Sequence, residues 1–320
     1  MALLEVKNLK TYFYLRRGVV KAVDDVSFSV DRGESLGVVG ESGCGKTITS
    51  LSLLRLVPKP GKTVGGNIFF DGVDLLTLSE REMRTYRGKK ISEILQDPLT
   101  SLNPVFTIGD QVGEGIVIHE HFRGKKLKER IVQLLRWLGI PAAESRMADY
   151  PHQFSGGMRQ RVVGAISIAC RPQLLICDEP TTSLDVTIQQ QYLNLLLDIQ
   201  KRENLALIFI THDLGIVAKM CHRVVVMYAG HVVEKGDVRE IFYHSLHPYT
   251  RALLNSVPKM EEKVKRLYNI EGQPPSLLNL PPGCNFLPRC TEKTGKCSSE
   301  EYPPEVEVSP NHIVRCWQHV

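Results

Sequence analysis

What this chain has little of narrows its class before any motif is read. No apolar run is long enough to span a bilayer. "RVVVMYAGHVV" (223–233) is strand-length and interrupted, so any membrane role is expected to be peripheral. The N-terminal "MALLEVKNLKTYFYLRRG" has charges through its apolar part and no small-residue cleavage pattern, which argues against a signal peptide. Charge of one sign is scarce: 40 basic residues face 35 acidic ones without a long block, too weak a balance to argue for nucleic acid. "FRGKKLKER" (122–130), the densest basic run, reads as a solvated helix face or as a contact for anionic lipid or a partner. No internal repeat is present, and a cytoplasmic protein is expected.

What is there alternates between strand and helix. At 320 residues the chain can bury a large core and divide into two domains. "ESLGVVG" (34–40) reads as a buried strand ending in glycine, and apolar residues at helical spacing follow from Lys46 to Leu56 until "PKPG" stops them. "GGNIFFDG" (65–72), "KKISEIL" (89–95), "PQLLICDEP" (172–180) and "LALIFITHD" (205–213) read as further strands, and "RVVVMYAGHVVEKG" as a hairpin broken at "AG". Between Gln96 and about Ala169 the pattern favours helix, a helical insertion in a mostly parallel α/β core. From about His244 regularity decays: "HPYTRALLNSVP" offers a short helix, "GQPPSLLNLPPGC" a linker, and the rest is loop-rich with too little apolar periodicity to fold alone.

"GESGCGKT" (40–47) fits G-x-x-x-x-G-K-[ST] and lies where that pattern must lie, after a strand and before a helix. Gly40, Gly43 and Gly45 permit a tight turn whose amides point inward at phosphate oxygens, with Glu41, Ser42 and Cys44 between them. The helix through Ile48 adds its positive end. Lys46 can reach the β- and γ-phosphates, and the Thr47 hydroxyl can ligate Mg²⁺. Downstream, "LLICDEP" places Asp178 for the Mg²⁺ shell and Glu179 where an attacking water would be polarised.

"FSGGMRQR" (154–161) resembles the signature motif of ATP-binding-cassette (ABC) ATPases, and "LQDP" (95–98), "CDEPTTSLD" (177–185) and "THD" (211–213) match that family's Q-loop, Walker B with D-loop, and switch histidine in order. Phe154 and Met158 depart from the usual LSGGQ, while Ser155, Gly156 and Gly157 remain. The resemblance implies a P-loop NTPase core over residues 1–245 with a helical signature subdomain at about 97–169. It implies ATP closed between one cassette's P-loop and the other's signature in a head-to-tail dimer. Gln96 should contact Mg²⁺ and the water, His212 the γ-phosphate, and Asp185 should act across the interface. An aromatic among Tyr12, Phe13 and Tyr14, by alignment Phe13, should stack on adenine.

"VKAVDDVSF", "QDPLTSLNP", "EPTTSLDVTIQ" and "HPYTRALLNSVP" further resemble the ATPases of dipeptide and oligopeptide importers, whose relatives carry nickel. This implies a peripheral subunit on the cytoplasmic membrane face. Its partners would be two integral-membrane permease chains, a homologous second ATPase or a copy of itself, and indirectly an extracytoplasmic peptide-binding protein. The extension 246–320 belongs to that resemblance. A soluble ABC ATPase for iron–sulfur assembly or nucleic-acid handling is the competing class, but no coiled-coil insertion, duplicated cassette or basic stripe with aromatics supports it.

Cys44, Cys170, Cys177 and Cys221 read as small buried or loop thiols, whereas Cys284, Cys290, Cys297 and Cys316 gather in the tail. A cytoplasmic setting argues against disulfides there, and an annex without its own core suggests a metal staple. The tail lacks the close ligand pairs of structural zinc sites, and related importer ATPases share its cysteine pattern. A [4Fe–4S] cluster is therefore expected, with zinc second.

Overall fold

A computed structural model describes residues 2–182, 184–257 and 269–320; Ser183 of the D-loop stretch and Pro258 at the end of "HPYTRALLNSVP" lie outside the described residues. The first six strands are β1 (Leu4–Leu15), β2 (Gly18–Val30), β3 (Ser35–Val39), β4 (Gly61–Phe70), β5 (Val73–Asp74) and β6 (Ile91–Ile94). The rest are β7 (Leu174–Asp178), β8 (Ala206–Ile210), β9 (Arg223–Tyr228), β10 (His231–Asp237), β11 (Val306–Ser309) and β12 (His312–Val314). The chain divides into two compact units. The first takes residues up to Val30, Ser35–Leu76 and those from Phe209 on; the second takes Asp31–Glu34 and Thr77–Ile208.

In the first unit β1 buries Leu4 and Val6 and then, past a register shift where Asn8 takes positive φ, Leu9 and Thr11, as a half-covered antiparallel strand with a bulge does. Its sheet runs β2-β1-β4-β5, and β4 extends well before the segment expected from "GGNIFFDG". A second sheet of this unit runs β11-β12-β10-β9-β3, with β3 parallel to β9 and every β3 residue buried. The expected hairpin is present: Ala229 and Gly230 both take positive φ, the conformation a two-residue turn between twisted strands needs.

In the second unit β6 and β7 pair in parallel, with β8, which ends beyond the unit boundary, beside β7. The expected helical stretch contains Ile108–Glu120, Gly124–Trp137 and Gly156–Ser167. Thr107 starts the first of these through a capping box with Asp110. The helix Val186–Glu203 buries Tyr192, Leu193 and Leu196. Among the described residues no helix is long and apolar enough to cross a membrane.

The tail folds onto the first unit instead of standing apart. β12 adds to β10, pairing Val314 with Glu234, while Ile270, Cys284 and Phe286 enter a buried cluster with Tyr228 and Tyr249. Polar groups finish the join. The fully buried Glu234 carboxylate accepts from the amides of Leu246 (2.7 Å) and His247 (3.0 Å), and its Oε1 lies 2.8 Å from His312 Nε2. Burial pushes the Glu234 carboxyl upward, but those hydrogen bonds outweigh it and hold it below the usual range. His247 caps the helix Pro248–Asn255, its Nδ1 accepting from Tyr249 N at 3.0 Å, and burial depresses its imidazole to about 4. Burial likewise lowers His231, against the opposing pull of Asp24.

These shifts fix a direction for stability against pH. The folded state keeps both imidazoles neutral while the unfolded chain protonates them near 6.5, so stability falls as pH drops from 6.5 towards 4. Each fully shifted histidine contributes about 1.4 kcal/mol per pH unit to that slope. Glu234 adds its own loss only below its ordinary value near 4.5. The urea midpoint should be flat between pH 8 and 7 and decline below it. His247→Asn, which keeps a cap acceptor, should flatten the decline by one histidine's share; an unchanged slope would contradict this account.

Candidate functional site

The loop joining β3 to the helix Lys46–Leu53 takes backbone conformations that favour glycine. Gly40, Gly43 and Gly45 have φ of +151°, +80° and +109°. A Cβ on Gly40 would collide with the Met227 carbonyl and one on Gly45 with the Ala22 carbonyl, whereas Gly43 faces open space. Two of these glycines are therefore required by crowding and the third by conformation alone. Gly45 has no side chain to cap the helix, so its first amides are available to an anion.

Lys46, only 6% exposed, folds back so that Nζ donates to the carbonyls of Gly40 (2.7 Å) and Glu41 (3.1 Å). Ser42 and Thr47 are exposed, Ile48 is half-buried, and burial raises the Cys44 thiol. Two further residues reach this loop although nothing in the motif announces them. Arg289 grips the Glu41 carboxylate with both terminal guanidinium nitrogens (2.6 and 2.9 Å), and the Tyr249 hydroxyl accepts from Glu41 N at 2.9 Å. The hydrogen bond with Glu41 holds the Arg289 guanidinium above its ordinary value, against burial. Arg289 and Glu41 are 248 positions apart, so no local pattern could have paired them.

Elsewhere in the first unit, exposed His212 follows β8, where Thr211 N donates to Val38 O at 3.2 Å and Asp213 caps the next helix. Phe13 pairs with Gly61 across β1 and β4, its ring so close that a Cβ on Gly61 would come within 2.7 Å. Tyr12 donates to Asp24 Oδ1 (2.6 Å), while Tyr14 is 49% exposed.

In the second unit Asp178 ends β7 buried, and Glu179 follows at φ +45°. The Glu179 carboxylate accepts from Gln96 Nε2 (3.0 Å) and Thr182 Oγ1 (3.2 Å), so two residues separated by 83 positions are brought together. Ser155 starts the helix Gly156–Ser167, its Oγ accepting from Met158 N at 3.4 Å. Gly156 opens on free space, and Gly157 is pressed against Ile188. Asp185 caps Val186–Glu203 through Ile188 N at 3.0 Å.

The tail cysteines are free thiols, with Cys284, Cys297 and Cys316 buried and Cys290 half-buried. Burial pushes Cys284 up to about 11 and raises Cys290 and Cys316, and neighbouring thiols add to each shift, so the four share one electrostatic neighbourhood. Even so, among the described residues no group of three or more His, Cys, Asp or Glu is arranged to hold a metal ion. The expected [4Fe–4S] cluster and its zinc alternative are thus not supported by this geometry. Cys284 packs in the apolar cluster, surroundings suited to a neutral thiol, and Cys297 Sγ accepts from Thr294 N at 3.4 Å.

Similarity to known proteins runs along nearly the whole chain. The family described as ABC transporter matches residues 23–182, and that described as the oligopeptide/dipeptide transporter C-terminal region matches 233–297. A probable peptide ABC transporter ATP-binding protein of Sinorhizobium fredii is 50% identical, over 99% of this chain and 95% of its own length. The dipeptide transport ATP-binding protein DppD of Escherichia coli is 47% identical, over 94% and 92%. The solved ATP-binding cassette MJ0796, bound to ADP and Pi, matches with a TM-score of 0.67 at 23% identity. It covers 74% of this chain and 99% of its own, and shows the fold: an ABC-type P-loop cassette.

The crowding around the loop ranks its glycines. Gly45→Ala and Gly40→Ala should each cost about 2 kcal/mol or more in urea unfolding, since strain and overpacking add. Gly43→Ala should cost about 1 kcal/mol, strain alone. Equal losses at all three positions would refute the assignment.

Proposed function

The chain belongs to the ABC transporter family, and we propose that it is the ATP-hydrolysing subunit that energises import of di- or oligopeptides across the cytoplasmic membrane. The observation that carries this reading is the phosphate loop Gly40–Thr47, in a chain 50% identical throughout to a peptide transporter's ATP-binding protein. In this reading residues 1–245 are the cassette, with its helical subdomain at about 97–169, and 246–320 the importer-type extension.

Gly40, Glu41, Ser42, Gly43, Cys44 and Gly45, with the helix start through Ile48, form the cradle for the phosphates of ATP, to which Glu41 contributes the shape of the loop while its amide stays on Tyr249. Lys46 leaves its carbonyl partners to neutralise the β- and γ-phosphates. Thr47, Gln96 and Asp178 would hold Mg²⁺, which offsets phosphate charge when bound. Glu179 polarises the attacking water, and its contacts with Gln96 and Thr182 support a fixed orientation for that carboxylate. His212 contacts the γ-phosphate, and Phe13 stacks on adenine. Ser155, Gly156 and Gly157 close over the phosphate held by a second cassette, with Asp185 at that interface. The second cassette is a homologous ATPase or another copy of this chain.

The subunit works peripherally on the cytoplasmic membrane face with two permease chains, supplied by an extracytoplasmic peptide-binding protein. Val105 and Phe106, 71% and 52% exposed in the stretch after Gln96, support a permease contact there. For the tail, the finer reading is a [4Fe–4S] cluster, or zinc, on Cys284, Cys290, Cys297 and Cys316, and it rests on the cysteine pattern of the sequence alone. No step of ATP turnover is routed through it. Anaerobically purified protein should then contain iron and sulfide and absorb near about 400 nm; a fully active preparation free of iron and zinc removes that reading.

For the ATPase itself, Glu179→Gln assembled with the permeases should bind ATP and lose turnover by about a hundredfold or more. Lys46→Ala should instead lose nucleotide binding. Peptide-stimulated hydrolysis by the wild-type assembly is the direct test, and rapid turnover by the Glu179 variant would remove its assigned role.

A further inference from the structure

Glu41 is an unwelcome residue at its position. A carboxylate inside a loop that binds phosphate repels its own ligand, and more so where water is partly excluded. Its surroundings compensate. Arg289, from the tail and with a side chain only 4% exposed, meets Glu41 through a two-pronged charge-assisted pair and also bonds to the carbonyls of Ile270 (3.3 Å) and Glu271 (3.1 Å). With the Tyr228 hydroxyl at 3.3 Å the guanidinium is thereby held by four residues, and it fixes Glu41 while cancelling its charge.

A second strut acts on the backbone. The Tyr249 hydroxyl accepts the Glu41 amide, and the Tyr249 ring is locked in an aromatic hub with Tyr228 and Phe286, at centroid separations of 4.6 and 5.4 Å. A third acts from behind. Asn285 Nδ2 donates to Ala229 O (3.1 Å), and the next residue of that turn, Gly230, donates to Cys44 O in the loop (3.0 Å). Two direct contacts, from Tyr249 and Arg289, and one relayed from Asn285 through the Ala229–Gly230 turn thus reach the loop, whose glycines at positive φ have wide backbone freedom to lose.

We propose that Arg289 and Tyr249 are positioning residues for the phosphate loop, so that the C-terminal region sets nucleotide affinity in cis. The inference rests on reading Gly40–Thr47 as the ATP site. It assigns the tail a task besides packing: neutralising Glu41 leaves the Lys46 charge to the incoming phosphates, and pinning Glu41 N keeps the loop open. A mere staple would act differently: removing one partner of the buried pair would lower the melting temperature without touching ATP affinity.

The test is fluorescent-ATP binding to the purified full-length chain, followed by KM and kcat in the assembled transporter. Arg289→Ala should weaken nucleotide binding about tenfold, the scale of one good charge-assisted contact, raising KM with kcat within about twofold. Arg289→Lys, a point charge without the fork, should recover only part of the loss. Glu41→Gln with Arg289→Gln, which removes both charges, should bind ATP more tightly than Arg289→Ala alone. Tyr249→Phe keeps the ring in its hub and should still weaken binding, so the proposal stays testable if Arg289→Ala does not fold. Wild-type affinity in Arg289→Ala and Tyr249→Phe proteins that melt earlier would overturn it in favour of a staple. A wild-type chain that binds no ATP would overturn the underlying site reading instead.

Discussion

The arrangement of the first unit depends on how closely the phosphate loop passes two carbonyl oxygens. Met227 O belongs to β9 and Ala22 O to β2, so the loop is clamped by strands of two different sheets and admits no side chain at Gly40 or Gly45. Such crowding gives a short, glycine-rich loop a single shape, which its composition alone would not confer. Lys46 depends on the same closeness. Its ammonium is buried but not orphaned, because the turn brings the carbonyls of Gly40 and Glu41 within hydrogen-bond distance.

The tail joins this framework through polar groups as much as apolar ones. β10 would present bare backbone groups along one edge, and β12 covers them. Glu234 then satisfies amides at 246 and 247 that no strand could reach, and Arg315 bridges Asp25 (2.8 Å) and Glu305 (3.3 Å). A loop-rich segment with few apolar residues cannot order itself by burial. Pairing its charges with groups already fixed on β2 and β10 supplies direction that apolar contact lacks, because a misplaced carboxylate or guanidinium is left unsatisfied.

Much of this was legible in the sequence, for a physical reason. Phosphate chemistry demands glycines, a lysine and carboxylates at fixed local spacings, so "GESGCGKT", "SGG" and "CDEP" announce themselves within a few residues. Buried strands are equally plain as apolar runs, and β3, β7 and β8 fall within such runs. What escaped was long-range or dependent on context. β1 carries lysines and tyrosines in a half-covered sheet, which blurs its alternation. β11 and β12 are short strands that form by adding to β10. The four cysteines are indeed neighbours, yet neither spacing nor composition reveals that burial favours the neutral form of Cys284, Cys290 and Cys316.

The helix starts show how the same amides can be kept for a ligand or closed to one. Asp185 and Asp213 cap with full carboxylates, and Thr107 shares its cap with Asp110; a negative charge already occupies each of those ends. Gly45 offers no cap, and Ser155 caps through a hydroxyl lone pair at a long 3.4 Å with no acid in the first turn. A hydroxyl that accepts from one amide still has its own proton to donate, so Ser155 can hold the helix and bind an anion at once. An aspartate at 155 would cap more strongly and repel phosphate. The two helices proposed to face phosphate are thus ones whose starts carry no negative charge. Asp185, assigned to an interface contact, can afford one.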